Sequence, residues 1–218
     1  MDITRYGQSA LLIEEQGTRI LIDPGSLSGE HVFALDRLDA LLLTHDHPDH
    51  LDPDGVARLV ARSPDALVLA PAEVLDALPV GADRAIPVSD GQAYRVGAVD
   101  IEVVGSLHQL IHERIPQGLN VGYVLGVLGG ARLFHPGDSY ESAPSGITAL
   151  ALPLLGPWGS LREAIDFADA VAPRHIFPIH DVHLSAMGRE LFWSWLQKFS
   201  LTDMAAFDPP IGYPVGIG

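Results

Sequence analysis

Apolar positions fall in short bursts punctuated by Gly, Pro and Asp, with few long helical waves. Ser9 to Glu15 reads as a strand, Gln16-Gly17-Thr18 as a turn, and Arg19 to Asp23 as the returning strand. Asp23-Pro24-Gly25 breaks that strand and opens a loop to about Leu38. Ala40 to Leu43 is wholly apolar, the pattern of a strand buried on both faces. Pro53 to Arg62 carries Val56, Leu59 and Val60 at helical spacing, with Asp52 placed to cap it.

An alternation follows. Leu67 to Ala70 predicts a strand, Pro71 to Leu78 a short helix, and Arg84 to Val88 another strand. Gln92 to Val96 and Val99 to Val104 predict a hairpin across Gly97-Ala98. Gly105 to Asn120 is polar and irregular. Val121 to Leu128 and Arg132 to His135 predict a second hairpin around Gly129-Gly130. Ala149 to Leu152 and Arg174 to Ile179 predict strands, separated by a helix from Ser160 to Val171 with Glu163 completing a capping box. Ser185 to Phe199 predicts a last helix with Leu191, Phe192, Trp195 and Leu196 on its apolar side. Strands then helices, twice over, predict an α/β fold: a four-layer αββα sandwich of two mixed sheets flanked by helices. No linker divides the chain, so residues 1–218 are expected to form a single domain. The tail from Ile211 to Gly218 packs either on a neighbour, in a homo-oligomer, or on its own core.

Composition narrows the chemistry. The 218 residues are 47% apolar, enough for a large core. Without cysteine there is no disulfide, thiolate metal site or cysteine nucleophile. The net charge of −15, with Lys198 the one lysine, disfavours a polyphosphate partner and points to a small-molecule substrate with no nucleic acid. The N-terminus lacks a signal-peptide pattern and no apolar run spans a bilayer, so no membrane role and a cytoplasmic setting are expected.

Within this frame, residues 44 to 50 read Thr-His-Asp-His-Pro-Asp-His, directly after an apolar strand. Imidazole and carboxylate together suit zinc and related divalent ions. His45 and His47 can converge on one ion, and Asp49 and His50, beyond a proline, on another. Each ion needs at least three protein groups. His108, Asp138 and His180 are the further candidates, each just past a predicted strand, where a scaffold displays functional groups. His112, four residues from His108, is the alternative to it. Of the other polar residues, Asp46 is expected to orient the loop or a ligand histidine, with Asp181 similar. His135 is a second-layer group or a satisfied core histidine. His31 and His175 are expected to be surface groups, and Asp23 to cap a turn or brace the loop. Trp158 walls the pocket or packs in the core, and Arg114 and Tyr140 are candidate substrate contacts.

His-x-His-x-Asp-His after an apolar strand, then a lone His, Gly137-Asp138-Ser139, and a His after a final strand resemble the metallo-β-lactamase-fold metal-dependent hydrolases. The branch is similar to ascorbate-6-phosphate lactonase, with many members of unassigned substrate. The resemblance covers nearly the whole chain. It implies that His45, His47 and His108 hold one ion, Asp49, His50 and His180 a second, and that Asp138 bridges them. The cofactors so implied are two divalent ions, zinc with Mn or Fe as alternatives. A hydroxide shared between them would attack a small ester, lactone or phosphoester. Asp49 would hold the nucleophile and take its proton. His112 and His183 are each read either as a group facing the substrate or as a solvated loop histidine. The chain lacks the His-x-Glu-Ala-Thr segment of RNA-processing relatives and the Gly-Gly that follows the cluster in glyoxalase-type ones. The di-iron redox branch has Glu where this chain has His47. The alternatives are a non-catalytic metal-binding protein of the same fold, or a phosphodiesterase acting on a small nucleotide.

Overall fold

The computed structural model describes residues 1–200 and 203–218. The first half builds one seven-stranded sheet. β1 (Asp2–Arg5), β2 (Leu11–Glu15), β3 (Thr18–Ile22), β4 (Ala40–Leu42), β5 (Leu67–Ala70) and β6 (Ala85–Pro87) lie in chain order, and β14 (Val215–Gly216) joins at the β1 edge. The second half builds the other, in which β7 (Ala93–Val96), β8 (Val99–Val104), β9 (Gly122–Gly126), β10 (Arg132–His135), β11 (Ala149–Pro153), β12 (His175–Ile179) and β13 (Ala205–Ala206) are successive neighbours. The helices are α1 (Pro53–Arg62), α2 (Ala72–Asp76), α3 (Leu161–Val171) and α4 (Ala186–Phe199).

Alternation along the strands makes the layers, because successive side chains point to opposite faces of a sheet. Ile13, Ile20 and Ile22 face inward and meet Ile101, Tyr123, Leu125 and Phe177 of the second sheet in one core. Leu12, Leu21 and Leu41 face outward and are covered by Val56, Leu59 and Val60 of α1. On the second sheet, Phe134, Leu150 and Leu152 face outward under Ala164 and Phe167 of α3 and Leu196 of α4. Both faces of each sheet are therefore covered, which explains the uninterrupted apolar runs. The result is the expected αββα sandwich. Tyr123 stitches the sheets together, its buried hydroxyl within hydrogen-bond distance of the Leu43 and Leu69 carbonyls.

The caps follow the sequence signals. Asp52 accepts from the Gly55 N–H at the start of α1, and Ser160 from the Glu163 N–H at the start of α3. Ser160 Oγ donates back to the Glu163 carboxylate, so the return bond of that box ends on the hydroxyl.

Three expectations change. The loop after Asp23 holds a 3-10 turn, Glu30–Ala34, whose Val32 and Phe33 are buried. The short strands β1, β13 and β14 carry too few apolar positions to stand out; β14 pairs with β1, so the tail covers its own core through Ile217. Finally, α4 presents Trp193 and Leu196 to the core, leaving Leu191 and Trp195 about half exposed. The apolar stripe on α4 is wider than the contact, and the angle of docking on α3 selects which part is covered.

Candidate metal centre

The candidate residues sit at one edge of the sandwich. β3 pairs parallel with β4, β10 with β11, and β11 with β12, so their C-terminal ends open together. β8 reaches the same edge through two antiparallel steps, by way of β9 to β10. Ligand sites in parallel sheets form at this end. There the chain leaves β4 into His45, His47, Asp49 and His50, β8 towards His108, β10 towards Asp138, and β12 into His180.

All seven candidates meet in two groups. The ligand atoms of His45, His47, His108 and Asp138 lie within 4.8 Å of one another, as do those of Asp49, His50, Asp138 and His180. Asp138 belongs to both. Its Oδ1 is 2.9 Å from His50 Nε2, while Oδ2 is 3.4 Å from His108 Nε2 and 3.3 Å from His180 Nε2. His180 Nε2 is also 3.2 Å from Asp49 Oδ2. Five of the seven are buried; His47 and Asp49 are half-buried, so the cluster opens to solvent on their side.

The hydrogen-bond pattern presents free Nε2 atoms. His108 Nδ1 lies 2.6 Å from the Gln109 carbonyl and His180 Nδ1 2.6 Å from the Leu155 carbonyl. A carbonyl only accepts, so each Nδ1 carries the proton. His50 Nδ1 lies 2.7 Å from Asp23 Oδ2. Thr44 donates its hydroxyl to the same Asp23 oxygen and can accept from His45 Nδ1 at 2.9 Å. Fixing the tautomer through the far ring nitrogen is what metal-binding histidines require. His45 Nε2, His108 Nε2, His180 Nε2 and Asp138 Oδ1 are buried and make no well-directed hydrogen bond among the described residues; their polar neighbours are the other members of the cluster. Buried polar atoms are nearly always hydrogen-bonded, so four that instead face one another in one place fit a shared cation.

The electrostatics agree. Burial opposes charge on Asp138 and Asp49, yet the histidines around them, with Gln8 beside Asp49, hold both carboxyls below their ordinary range. Burial pushes His45 and His47 down. It opposes charge on His50 and His180 too, but Asp138 and Asp23 raise the first, and Asp138 and Asp49 raise the second to about 9.

Close backbone packing holds the loop. A Cβ at Gly25 would collide with the Asp49 carbonyl, and one at Gly137 with the Asn120 side chain. Those contacts carry the bonds Ser26 N to Pro48 O at 2.8 Å and Asp138 N to Asn120 Oδ1 at 2.9 Å. Asp23 (φ 47°) and His180 (φ 52°) both adopt left-handed backbone, a conformation that concentrates at functional sites.

Other expected residues divide. His108, and not His112, is gathered into the cluster; His112 is exposed, its Nδ1 accepting from Arg114 N. Arg114 is exposed on the same loop. His183 is exposed, with its ring 5.6 Å from that of His180. His135 is a satisfied core histidine, bonded to Ser9 O and Gly137 N. His31 is exposed and His175 half-buried. Asp46 is exposed and makes no side-chain hydrogen bond among the described residues, so the orienting role falls to Asp23, whose capping signal in the sequence points equally to a turn. Asp181 orients no ligand side chain; it pairs with Arg5 at 2.9 Å and Arg189 at 2.7 Å. Tyr140 gives its hydroxyl to Pro153 O, which removes it as a substrate donor. Gln8, unremarked in the sequence, donates its side-chain amide to Asp49 Oδ2 at 2.7 Å while its main-chain carbonyl accepts from His180 N at 3.0 Å. Only the 41-residue separation of Gln8 and Asp49 conceals that link.

Comparison with known proteins places the chain. Residues 2–180 match the Beta-lactamase superfamily domain. Protein Rv0786c of Mycobacterium tuberculosis is 35% identical over 206 residues, covering 93% of this chain and 94% of that protein. A UPF0173 metal-dependent hydrolase of Thermus thermophilus is 27% identical over 198 residues, covering 83% of each. The metallo-β-lactamase fold protein YhfI of Bacillus subtilis superposes with a TM-score of 0.76 at 14% identity, over 100% of this chain and 99% of that one, a likeness of fold alone. With its two face-packed sheets and histidine-rich edge, the chain belongs to the β-lactamase superfamily and has the metallo-β-lactamase fold.

Proposed function

We propose that this protein is a metal-dependent hydrolase that holds two divalent ions, zinc in preference to Mn or Fe, and cleaves a small ester, lactone or phosphoester. His45, His47 and His108 would hold one ion and Asp49, His50 and His180 the other, with Asp138 shared. The convergence on one place of four buried polar atoms that make no well-directed hydrogen bond carries this reading. The name of the Thermus relative supports it as well.

Ions held there would acidify a water towards neutrality and polarise the scissile oxygen. The side chains supply the rest. Asp49 is half-buried on the open side of the cluster, where a substrate arrives, and Gln8 fixes its carboxylate as a proton acceptor. His183, exposed beside His180, is the candidate donor to the substrate, with His112 further out on its loop. The net charge of −15 supports a small molecule over a nucleic acid. Among the described residues no helix is long and apolar enough to cross a membrane.

The test is metal content and turnover together. The wild-type chain should carry two ions, and Asp138→Ala and His180→Ala should each lose at least one; full occupancy in either variant sinks the ligand scheme. A panel of lactone, ester and phosphodiester probes should show turnover that chelation abolishes. Two bound ions with no turnover on any probe would leave a non-catalytic metal-binding protein.

A further inference from the structure

One side chain outside the seven touches both groups. The Trp158 indole N–H donates to Asp138 Oδ2 at 3.0 Å. That oxygen is the one facing His108 and His180. The Trp158 ring also lies against one histidine of each group, 5.9 Å from His108 and 5.3 Å from His180, centre to centre.

The indole is held from behind. It is 5% exposed, and the Tyr140 ring crosses it at 5.3 Å and 70°. Tyr140 is itself tied to the end of β11 through Pro153 O. A Cβ at Gly156 would strike the indole, so the backbone also presses on it closely. An indole nitrogen can only donate, and its partner here is a buried carboxylate. Nothing in ordinary core packing requires that N–H to point at the one carboxylate common to both groups.

We propose that Trp158 is a positioning residue. Its N–H sets the rotation of the Asp138 carboxylate so that one oxygen faces His50 and the other faces His108 and His180. Its ring keeps those two imidazoles from turning away. This rests on the reading of the seven residues as ion ligands. Partners one layer behind a ligand typically control about 10–100-fold in metal affinity.

The test compares wild type with Trp158→Phe, which keeps an aromatic ring against Tyr140, His108 and His180 but removes the N–H. Metal affinity is measured by chelator competition, and ligand geometry by the visible spectrum of the cobalt-loaded protein. The expected result is at least ~10-fold weaker binding in W158F and a shifted cobalt spectrum, with unchanged circular dichroism. A second measurement leaves Trp158 intact. In a Trp193→Phe, Trp195→Phe background, the emission of the remaining indole should titrate with added zinc and saturate with ion uptake. Wild-type affinity and cobalt spectrum in W158F, or emission blind to zinc, would overturn the proposal while leaving the metal reading standing. Wild-type protein that takes up no ion would overturn both.

Discussion

Asp23 Oδ2 lies 2.7 Å from His50 Nδ1, and this bond joins the end of β3 to the cluster that follows β4. The same carboxylate accepts from the Thr44 hydroxyl at 2.7 Å and the Thr44 N–H at 2.9 Å. Through Thr44 it reaches His45 as well. One buried carboxylate thereby sets the ring orientation of a histidine in each group.

Asp23→Asn and Asp23→Ala should separate two contributions. Asn tolerates the left-handed backbone at this position but can no longer accept from every partner. Its ion affinity should fall about 10–100-fold with a modest loss of stability. Ala also strains the backbone and leaves buried donors unpaired, at about 1–3 kcal/mol for each group. Chelator competition and thermal unfolding check the order: D23A below D23N in melting temperature, both below wild type in affinity. Equal affinity in all three would remove Asp23 from the site.

Gln8 reaches the second group from the turn between β1 and β2. Its amide spans Asp49 Oδ2 and, at 3.4 Å, the Val182 N–H. Gln8→Leu keeps the volume and removes both bonds. Metal binding at the Asp49 group should weaken while the His45 group keeps its ion, so the stoichiometry at limiting metal falls towards one. Loss of both ions together would mean that Gln8 supports the whole edge and not Asp49 in particular.

Asp208 provides a pH dependence away from the cluster. Burial opposes its charge, but two bonds from Arg189, with Arg5 nearby, hold its carboxyl below the usual range. A group whose pKa is lower in the folded state stabilises above its unfolded pKa, about 3.9, and loses that contribution as pH falls through the folded value. Asp208→Asn should therefore melt below wild type at pH 7, and the gap should narrow as pH drops below 4. A gap that stays constant over that range would show that the ion pair contributes nothing through titration.

On α4, Leu196 is fully buried while Leu191 is 51% exposed. Leu196→Ala should cost about 2–5 kcal/mol, and Leu191→Ala no more than about 0.5 kcal/mol. Chemical denaturation of the two variants measures the difference. Comparable losses would mean that Leu191 is covered in solution.

Much of this was legible in the chain because it is local. The run Ala40 to Leu43 carries the signature of a strand covered on both sides, and Asp52, Pro53 and Ser160 mark helix starts by their own bonding chemistry. The seven candidate residues were readable for the same reason: imidazoles and carboxylates at strand ends are hard to explain otherwise. Strands β1, β13 and β14 were not readable, because two to four residues without alternation hold no pattern until a neighbour pairs with them. Nor could sequence find that α4 turns Trp193 and Leu196 to the core and leaves Leu191 and Trp195 half exposed, since its apolar residues run round more of the helix than one contact covers.

The roles of Asp23, Gln8 and Trp158 belong to the same class. Each depends on an approach between segments 20 to 41 residues apart, set by parallel strand pairing and by glycines that let backbones touch. Local propensity and ligand chemistry are properties of neighbouring residues, so the chain alone specified the layers and named the metal candidates. Which histidine nitrogen is left free, and how close the two groups come around Asp138, follow from distances between strand ends, and those exist only once the two sheets have closed on each other.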